Sequence, residues 1–268
     1  MLQSALLLLI KYNRAMFAPI VPTVGLGATL IRIRPAARRP RNPGWLSYLA
    51  LFAIVVSVAL AASPGLGYSS SVTPGLIARY AATFGPEVKL RIGAWQQFIR
   101  SMKTQQVRHP GDDLALLGPV NVFFNRLPYA DDLPHWGVED YWATPAEMVA
   151  SNGGDCEDYS IAKYFALKEL GVPIRRLRIT YVKAASLNRA HMVLAYYPEP
   201  DAQPLILDNL IDEVKPASQR PDLIPVYSFN DEDLLIARAG ERGFSAGSAL
   251  QVRMWRGLLD KLEQELKY

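Results

Sequence analysis

The chain has one cysteine and three histidines in 268 residues. These counts exclude an intramolecular disulfide bond and cysteine-rich zinc or iron–sulfur sites. The cysteine, Cys156, lies in the acidic segment Asp155–Asp158, which opens a stretch with an apolar stripe of helical spacing. A lone cysteine is either a buried residue or a nucleophile. Its place in the first turn of a helix favours the thiolate form, because the N-terminal end of a helix is electropositive.

His191 and Asp208 are candidate partners for that thiol. Alternating apolar residues predict that each lies on a strand, with a proline-rich loop between the two strands. If that loop is centred near Glu199–Pro200, His191 lies directly opposite Asp208, with Cβ atoms ~4.5–5.5 Å apart. The carboxylate would then fix the imidazole tautomer and stabilise the imidazolium. With Cys156 the pair predicts a Cys-His-Asp site for acyl transfer, whereas a one-residue slip in register would put the pair on opposite faces.

The elements that must position these residues change in hydrophobic period along the chain. Around Cys156 the apolar residues recur with the spacing of a helix, whereas after Pro173 apolar and polar residues alternate as in a strand. Residues 109–145 are predicted to be rich in loops, because their X–Pro pairs should break any long element. Helices followed by strands predict an α+β fold in separate layers. Helices are predicted at 73–102, from the capping motif Thr144–Glu147, at 159–170 and at 249–266, and strands at 177–181, 191–197, 205–208 and 224–229.

The start of the chain has the pattern of an export signal. An arginine-rich stretch precedes the apolar segment Trp45–Ala62, which ends in small residues. A basic region, an apolar region and a small-x-small end are typical of a secretory signal peptide. The alternative is an uncleaved membrane anchor, since about 18 apolar residues can just span a bilayer. The sequence therefore predicts a leader at 1–62, with an unusually long basic region, and an exported domain at 63–268.

Charge is distributed unevenly between these two parts. The formal net charge is +4. Residues 1–62 hold seven basic residues and no acidic residue, which leaves 22 basic and 25 acidic side chains in residues 63–268. The basic character thus belongs to the leader, and this argues against a nucleic-acid partner.

Other polar side chains have structural interpretations. His109 and His135 stand in polar or proline-flanked loops and are expected to be exposed rather than catalytic. The basic cluster Arg175, Arg176 and Arg178 is expected on a solvated edge. Asn209 follows a strand and is expected to be a turn residue, although its position beside Asp208 would also suit a role in stabilising the catalytic group.

Three motifs, in chain order, carry a resemblance to a known family: Gly153–Tyr164, Ala190–Leu194 and Leu207–Leu210. Together with Asn121–Asn125, Tyr141–Trp142 and Arg220–Asn230, they resemble the bacterial transglutaminase-like cysteine proteinases of the LapG type, over roughly residues 75–235. The resemblance implies a papain-like or transglutaminase-like α+β fold. In that fold a helical N-terminal lobe carries the nucleophile helix, which packs on an antiparallel sheet.

The same resemblance implies a periplasmic cysteine endopeptidase. Its nucleophile would be Cys156, its general base His191 and its orienting acid Asp208. The implied substrate is the N-terminal region of a large RTX-type surface adhesin, cut at a small-residue site, and its release would promote biofilm dispersal. The implied regulator is an inner-membrane receptor of the LapD type, which senses cyclic di-GMP.

Calcium is implied by the acids next to the nucleophile, Asp155 and Glu157, with Asp158 adjacent. Three carboxylates around one thiol should raise its pKa, and a divalent cation held by their oxygens would reverse that field. The alternative is structural: Asp155 caps the helix and the other acids favour its N-terminus. The segment lacks the spacing of an EF-hand.

Two other functions remain open from the residues. A transglutaminase or amidase acting on cell-wall peptides would use the same three side chains, because the thioester can also be transferred to an amine. A non-catalytic periplasmic binding module would not need the triad at all. The presence of all three side chains argues against that module, and an uncleaved leader with an unreactive thiol would instead indicate a membrane-tethered structural protein.

Overall fold

The computed structural model describes residues 69–185, 188–238 and 241–268. The leader predicted at 1–62, with its signal or anchor segment, lies outside the described residues. Within the described ranges, none of the helices combines the length and the apolar character that crossing a membrane requires.

Helices come first in the described chain, as predicted. The helix expected over 73–102 is divided, because Gly85 adopts a φ of 88° and ends the first helix. The prediction that X–Pro pairs break any long element over 109–145 was wrong, since a 12-residue helix lies there, together with a short one. The longer of them contains Pro119, and its buried apolar face compensates for the missing backbone hydrogen bond. The helices are α1 (Pro74–Phe84), α2 (Val88–Arg108), α3 (Leu114–Asn125), α4 (Asp132–Trp136), α5 (Pro145–Ser151) and α6 (Cys156–Glu169).

The chain leading into α6 has the local structure that its residues predict. The Thr144 side chain accepts a hydrogen bond from the backbone N–H of Glu147, and the Glu147 carboxylate accepts one from the backbone N–H of Thr144. The helix α5 then ends at Asn152, whose φ of 64° is left-handed. Asparagine is one of the few residues besides glycine that tolerate this conformation. This tight exit brings the chain to Asp155, the residue before α6.

The second half of the chain forms one sheet, antiparallel at every pairing, in the order β4-β3-β2-β1-β5-β6-β7. Four of these strands were predicted. The two edge strands and β6 were not. The strands are β1 (Leu177–Ala184), β2 (Arg189–Tyr196), β3 (Leu205–Asp208), β4 (Ile211–Pro216), β5 (Leu223–Phe229), β6 (Leu234–Arg238) and β7 (Glu241–Gly247).

The nucleophile helix α6 packs on one face of this sheet. Ile161 and Phe165 of α6 share a buried apolar cluster with Leu194 of β2 and Phe229 of β5. A last helix, α7 (Arg253–Glu265), closes the cluster with Trp255, which stacks on Phe165 with ring centroids 5.7 Å apart. A smaller apolar cluster covers the opposite face of the sheet, here called the outer face: Val182, Val193, Ala195 and Ile206.

The pairing of β2 with β3 corrects the predicted register. Leu194 lies opposite Leu207, and Tyr196 lies opposite Leu205, so His191 is not directly opposite Asp208. The turn is centred one residue later than predicted, and the pairing is therefore displaced by two residues. A two-residue displacement keeps every side chain on its face, because side chains alternate with a period of two. His191 and Asp208 thus remain on the same face of the sheet.

Candidate active site

The imidazole of His191 and the carboxylate of Asp208 form a buried hydrogen bond despite the displaced register. Nε2 of His191 lies 2.8 Å from Oδ1 of Asp208, and the two side chains are 1% and 0% exposed. In this arrangement Nε2 is the donor, so Nδ1 of a neutral imidazole is free to accept a proton. Nδ1 is buried and has no hydrogen-bond partner among the described residues.

The turn after Asp208 is held by two asparagines of α3. Nδ2 of Asn125 donates to the backbone oxygen of Asp208 at 3.0 Å and to that of Ile211 at 3.1 Å. Nδ2 of Asn121 donates to the backbone oxygens of Ile211 and Asp212 at 3.0 and 2.9 Å. The two asparagines are one helical turn apart, so they face the same way. Together they attach the end of β3 to the helical lobe.

The Asp208 carboxylate is satisfied on both oxygens. Oδ1 also accepts from the backbone N–H of Leu210 at 3.1 Å, and Oδ2 accepts from Nη2 of Arg220 at 2.8 Å. Burial by itself would raise the pKa of Asp208. The hydrogen bond and electrostatic attraction of His191, with the hydrogen bonds of Leu210 and Arg220, outweigh burial and lower the pKa of Asp208 to about 2. Asp208 is therefore an anion at any physiological pH.

Cys156 is the first residue of α6 and is partly buried. Its thiol donates to Oε2 of Glu157, with sulfur and oxygen 3.1 Å apart, rather than to His191. The sulfur also accepts from the backbone N–H of Met192, the residue after His191. The N-terminus of α6 thus lies against the strand that carries the histidine. Burial, followed by the charges of Glu157 and Asp155, raises the pKa of the thiol well above its usual value.

Acidic side chains collect around the start of α6. Oxygens of Asp132, Asp155 and Asp158 lie within 4.8 Å of one another, as do those of Asp132, Asp140 and Glu157. Burial and the neighbouring acids raise the pKa of Asp155 to about 9, and burial raises the pKa values of Asp132 and Glu157 to about 7 each. The Oδ1 atoms of Asp132 and Asp155 are buried without a hydrogen-bond partner among the described residues.

Asp158 differs from its neighbours because the backbone already uses both of its oxygens. Oδ1 accepts from the backbone N–H of Ala143 at 2.7 Å, and Oδ2 accepts from that of Asp155 at 3.3 Å. The side chain is fully buried. The structural interpretation of the acids thus applies to Asp158, which joins the start of α6 to the segment before α5.

The predicted site residues are brought together in two groups. His191 meets Asp208. Ligand atoms of Asp155, Cys156 and Glu157 lie within 4.8 Å of one another, and Asp155 and Asp158 also share a set with Asp132. The sequence argument missed Asp132 and Asp140, which precede the nucleophile by 24 and 16 positions and reach it only through the fold. The acidic pair Asp131–Asp132 at the start of α4 was the available signal.

Two expectations about other side chains are corrected. His135 is not solvent-exposed but partly buried, with Nε2 2.9 Å from Oγ of Ser151. Arg178 is not on a solvated edge: it is 1% exposed and pairs with Asp233, Nη1 to Oδ1 at 2.7 Å. The carboxylate of Asp233 supplies the counter-charge that allows this arginine to be buried.

Comparisons with known proteins agree with this geometry. The model of the family described as bacterial transglutaminase-like cysteine proteinase matches residues 97–223. The EGTA-treated structure of Legionella pneumophila LapG is 41% identical over 69% of this chain and 95% of that chain, with a TM-score of 0.59. The calcium-bound structure of the same protein is 42% identical over 69% and 97%, with a TM-score of 0.57. A search of curated proteins finds no match.

Proposed function

Because this chain belongs to the bacterial transglutaminase-like cysteine proteinases of the LapG type, we propose that it is a calcium-dependent cysteine endopeptidase. Its fold is the transglutaminase-like α+β fold that the motifs imply. Cys156 is the proposed nucleophile, His191 the general base and Asp208 the orienting acid. The observation that carries the proposal is the buried His191–Asp208 hydrogen bond on the strand against which the Cys156 sulfur lies.

The proposed reaction is peptide hydrolysis through a thioester. Asp208 holds His191 in the tautomer that leaves Nδ1 able to take the proton of the Cys156 thiol. The thiolate attacks the peptide carbonyl, and the imidazolium returns its proton to the leaving amine as the thioester forms. Water, deprotonated by the same imidazole, then hydrolyses the thioester. The backbone N–H groups and the positive dipole end at the start of α6 would stabilise the oxyanion.

Calcium fits the acids at the start of α6. Two buried carboxylate oxygens, on Asp132 and Asp155, have no hydrogen-bond partner in the part of the chain that the structure describes, and calcium prefers several oxygen ligands of this kind. Asp132 and Asp155 would hold the ion, with Asp140 and Glu157 near enough to contribute. When bound, the ion would supply positive charge beside the thiol, and so offset the acids that raise the thiol pKa.

The proposed substrate and regulator follow from the resemblance. We propose the N-terminal region of a large RTX-type surface adhesin as the substrate, cut at a small-residue site so that the adhesin is released and biofilms disperse. An inner-membrane receptor of the LapD type would sequester the enzyme in the periplasm, to which the leader at 1–62 would export it. The similarity to LapG supports both proposals.

The test is cleavage of an adhesin N-terminal fragment by the purified protein. It is run with calcium, with EGTA, and with Cys156→Ala, and each reaction is repeated with an amine acceptor. We expect cleavage with calcium alone. Cleavage that survives EGTA would remove calcium from the proposal but leave the thiol chemistry. Incorporation of the amine without cleavage would replace the peptidase by a transglutaminase.

A further inference from the structure

The orienting acid is itself held by an arginine that lies 12 positions later in the chain. Nη2 of Arg220 lies 2.8 Å from Oδ2 of Asp208, the oxygen that His191 does not use. Asp222 fixes the same guanidinium, with Nε 3.1 Å from its Oδ1 and Nη2 2.9 Å from its Oδ2. The side chains of Arg220 and Asp208 are 8% and 0% exposed. A continuous line of charged hydrogen bonds thus runs from Asp222 through Arg220 and Asp208 to His191.

We propose that Arg220 is a positioning residue of the catalytic centre, acting through Asp208, and this inference rests on the proposed function. A buried carboxylate with one oxygen free can rotate away from the imidazole or take up a proton. Arg220 prevents both, because guanidinium is planar and permanently charged. Asp208 then stays ionised, with Oδ1 aimed at His191, while His191 gains and loses its proton.

The surroundings of Arg220 make this role accessible to experiment. Arg220 lines an apolar groove on the outer face of the sheet, together with Val182, Val193, Ala195 and Ile206. Nη1 of Arg220 is buried and has no hydrogen-bond partner among the described residues. Shortening Arg220 to alanine would therefore leave a guanidinium-sized space next to Asp208 that continues into the groove. A small cation from solution should be able to enter it.

Arg178 offers a matched control. Like Arg220, it is a buried arginine that pairs with an aspartate, in this case Asp233, although it lies on the strand β1. Its Nε donates to Oγ of Ser228 at 2.9 Å. None of its bonds reaches His191 or Asp208. Losing Arg178 removes a buried ion pair from the same sheet without touching the catalytic pair.

The experiment compares Arg220→Ala, Arg220→Lys and Arg178→Ala in the full chain. We expect kcat of Arg220→Ala for fragment cleavage to fall by about 100-fold with little change in KM, less than the ~10⁴-fold known when a triad carboxylate is neutralised. Millimolar guanidinium should raise kcat of Arg220→Ala by at least about tenfold. The Arg220→Lys variant should retain part of the activity. Arg178→Ala should melt at a lower temperature but keep its kcat, with no response to guanidinium.

A second readout separates this inference from the proposed function. Alkylation of Cys156 by iodoacetamide needs the imidazole but no peptide, so its rate should fall in Arg220→Ala and recover with guanidinium. If the wild type is alkylated in a His191-dependent way but cleaves no fragment, the proposed function fails and alkylation still tests Arg220. In an Asp208→Asn background, removal of Arg220 should change the rate by less than about threefold, since the two act as a unit.

Three results would overturn the inference. The first is a folded Arg220→Ala protein, judged by circular dichroism, with kcat and alkylation rate within about threefold of the wild type. The second is a loss that guanidinium does not relieve and that Arg178→Ala shares. The third is full additivity with Asp208→Asn. If Arg220→Ala does not fold, Arg220→Gln, which preserves the length and polarity of the side chain, is subject to the same criteria.

Discussion

The two halves of the site differ in how completely the chain satisfies them. At the end of β3, Asp208 is held by His191, Arg220 and a backbone N–H, and the pKa of its carboxyl is lowered to about 2. At the start of α6, one buried carboxylate oxygen each of Asp132 and Asp155 has no hydrogen-bond partner among the described residues, and the pKa values of both groups are raised. The first half has its counter-charges built in. The second half has acids without cations.

This difference assigns different work to the two halves. Charges that are matched within the chain stay in place in every state of the protein, so the His191–Asp208 pair is preorganised. Unmatched buried carboxylates either take up protons or bind a cation. A binding event at the start of α6 can therefore control a thiol whose partners on the sheet are already assembled.

The largest expected effect on cleavage comes from removing the thiol of Cys156 at the start of α6. Cys156→Ala should lower cleavage of the adhesin fragment by about 10⁴-fold or more, because the nucleophile is lost. Its melting temperature should stay within a few degrees, since the cysteine is only partly buried. Cleavage assays and thermal unfolding of the same preparation check both. An active Cys156→Ala protein would show that chemistry lies elsewhere in the chain.

Removal of calcium should affect only the acidic half. Calcium at about 100 times its Kd should stabilise the protein by ~2.7 kcal/mol, and EGTA should reverse this and lower cleavage by about 100-fold or more. Asp132→Asn should lose most of the stabilisation, because it removes one of the two unpartnered ligands. Differential scanning calorimetry with and without calcium measures it.

Glu139 supplies the control for the calcium experiment. It is an exposed acid in the segment between α4 and α5, and it lies outside the sets of close carboxylates. Glu139→Gln should therefore respond to calcium as the wild type does. If Asp132→Asn and Glu139→Gln were stabilised equally, calcium would not be bound at the start of α6.

The sheet half should respond to acid. The pKa of Asp208 is depressed in the folded state, to about 2 from 3.8. Its contribution to stability is therefore complete above pH ~4 and is lost as the pH falls towards 2. The expected loss is about 2 kcal/mol. Urea unfolding of the wild type and Asp208→Asn should show a stability difference that shrinks by this amount between pH 5 and pH 2. An unchanged difference would mean that Asp208 is not held as an anion.

The smallest expected effect concerns the turn between β3 and β4. Asn125→Ala leaves backbone oxygens of Asp208 and Ile211 without that donor, which should cost about 1–3 kcal/mol and lower kcat up to about tenfold. Asn209→Ala is the matched control, because Oδ1 of Asn209 has no hydrogen-bond partner within the described ranges. Its kcat should stay within about twofold. Equal losses would contradict the role of α3 in holding the acid.

Local signals explain which predictions succeeded. The capping motif at Thr144, the start of α6 at Cys156 and the strand ending at Asp208 depend on residues within a few positions of each other, and the structure has each of them. The helix α3 was missed because the X–Pro pairs on either side of it predicted loop, while burial of its apolar face was not visible locally. The β2–β3 register failed because a proline-rich loop does not define its own centre.

The sequence by itself determined the candidate chemistry: a lone thiol at a helix start, a histidine and an acid on neighbouring strands, and acids on both sides of the thiol. The spacing of apolar residues and the helix-capping motifs, which act over one or two turns, were enough to predict these positions. Only the tertiary structure decided that Arg220 and Asn125 hold Asp208. It also decided that an oxygen of Asp132 lies within 4.8 Å of one of Asp155. Those contacts join residues 12 to 83 positions apart. Packing of helices on the sheet creates them, and no local pattern records it.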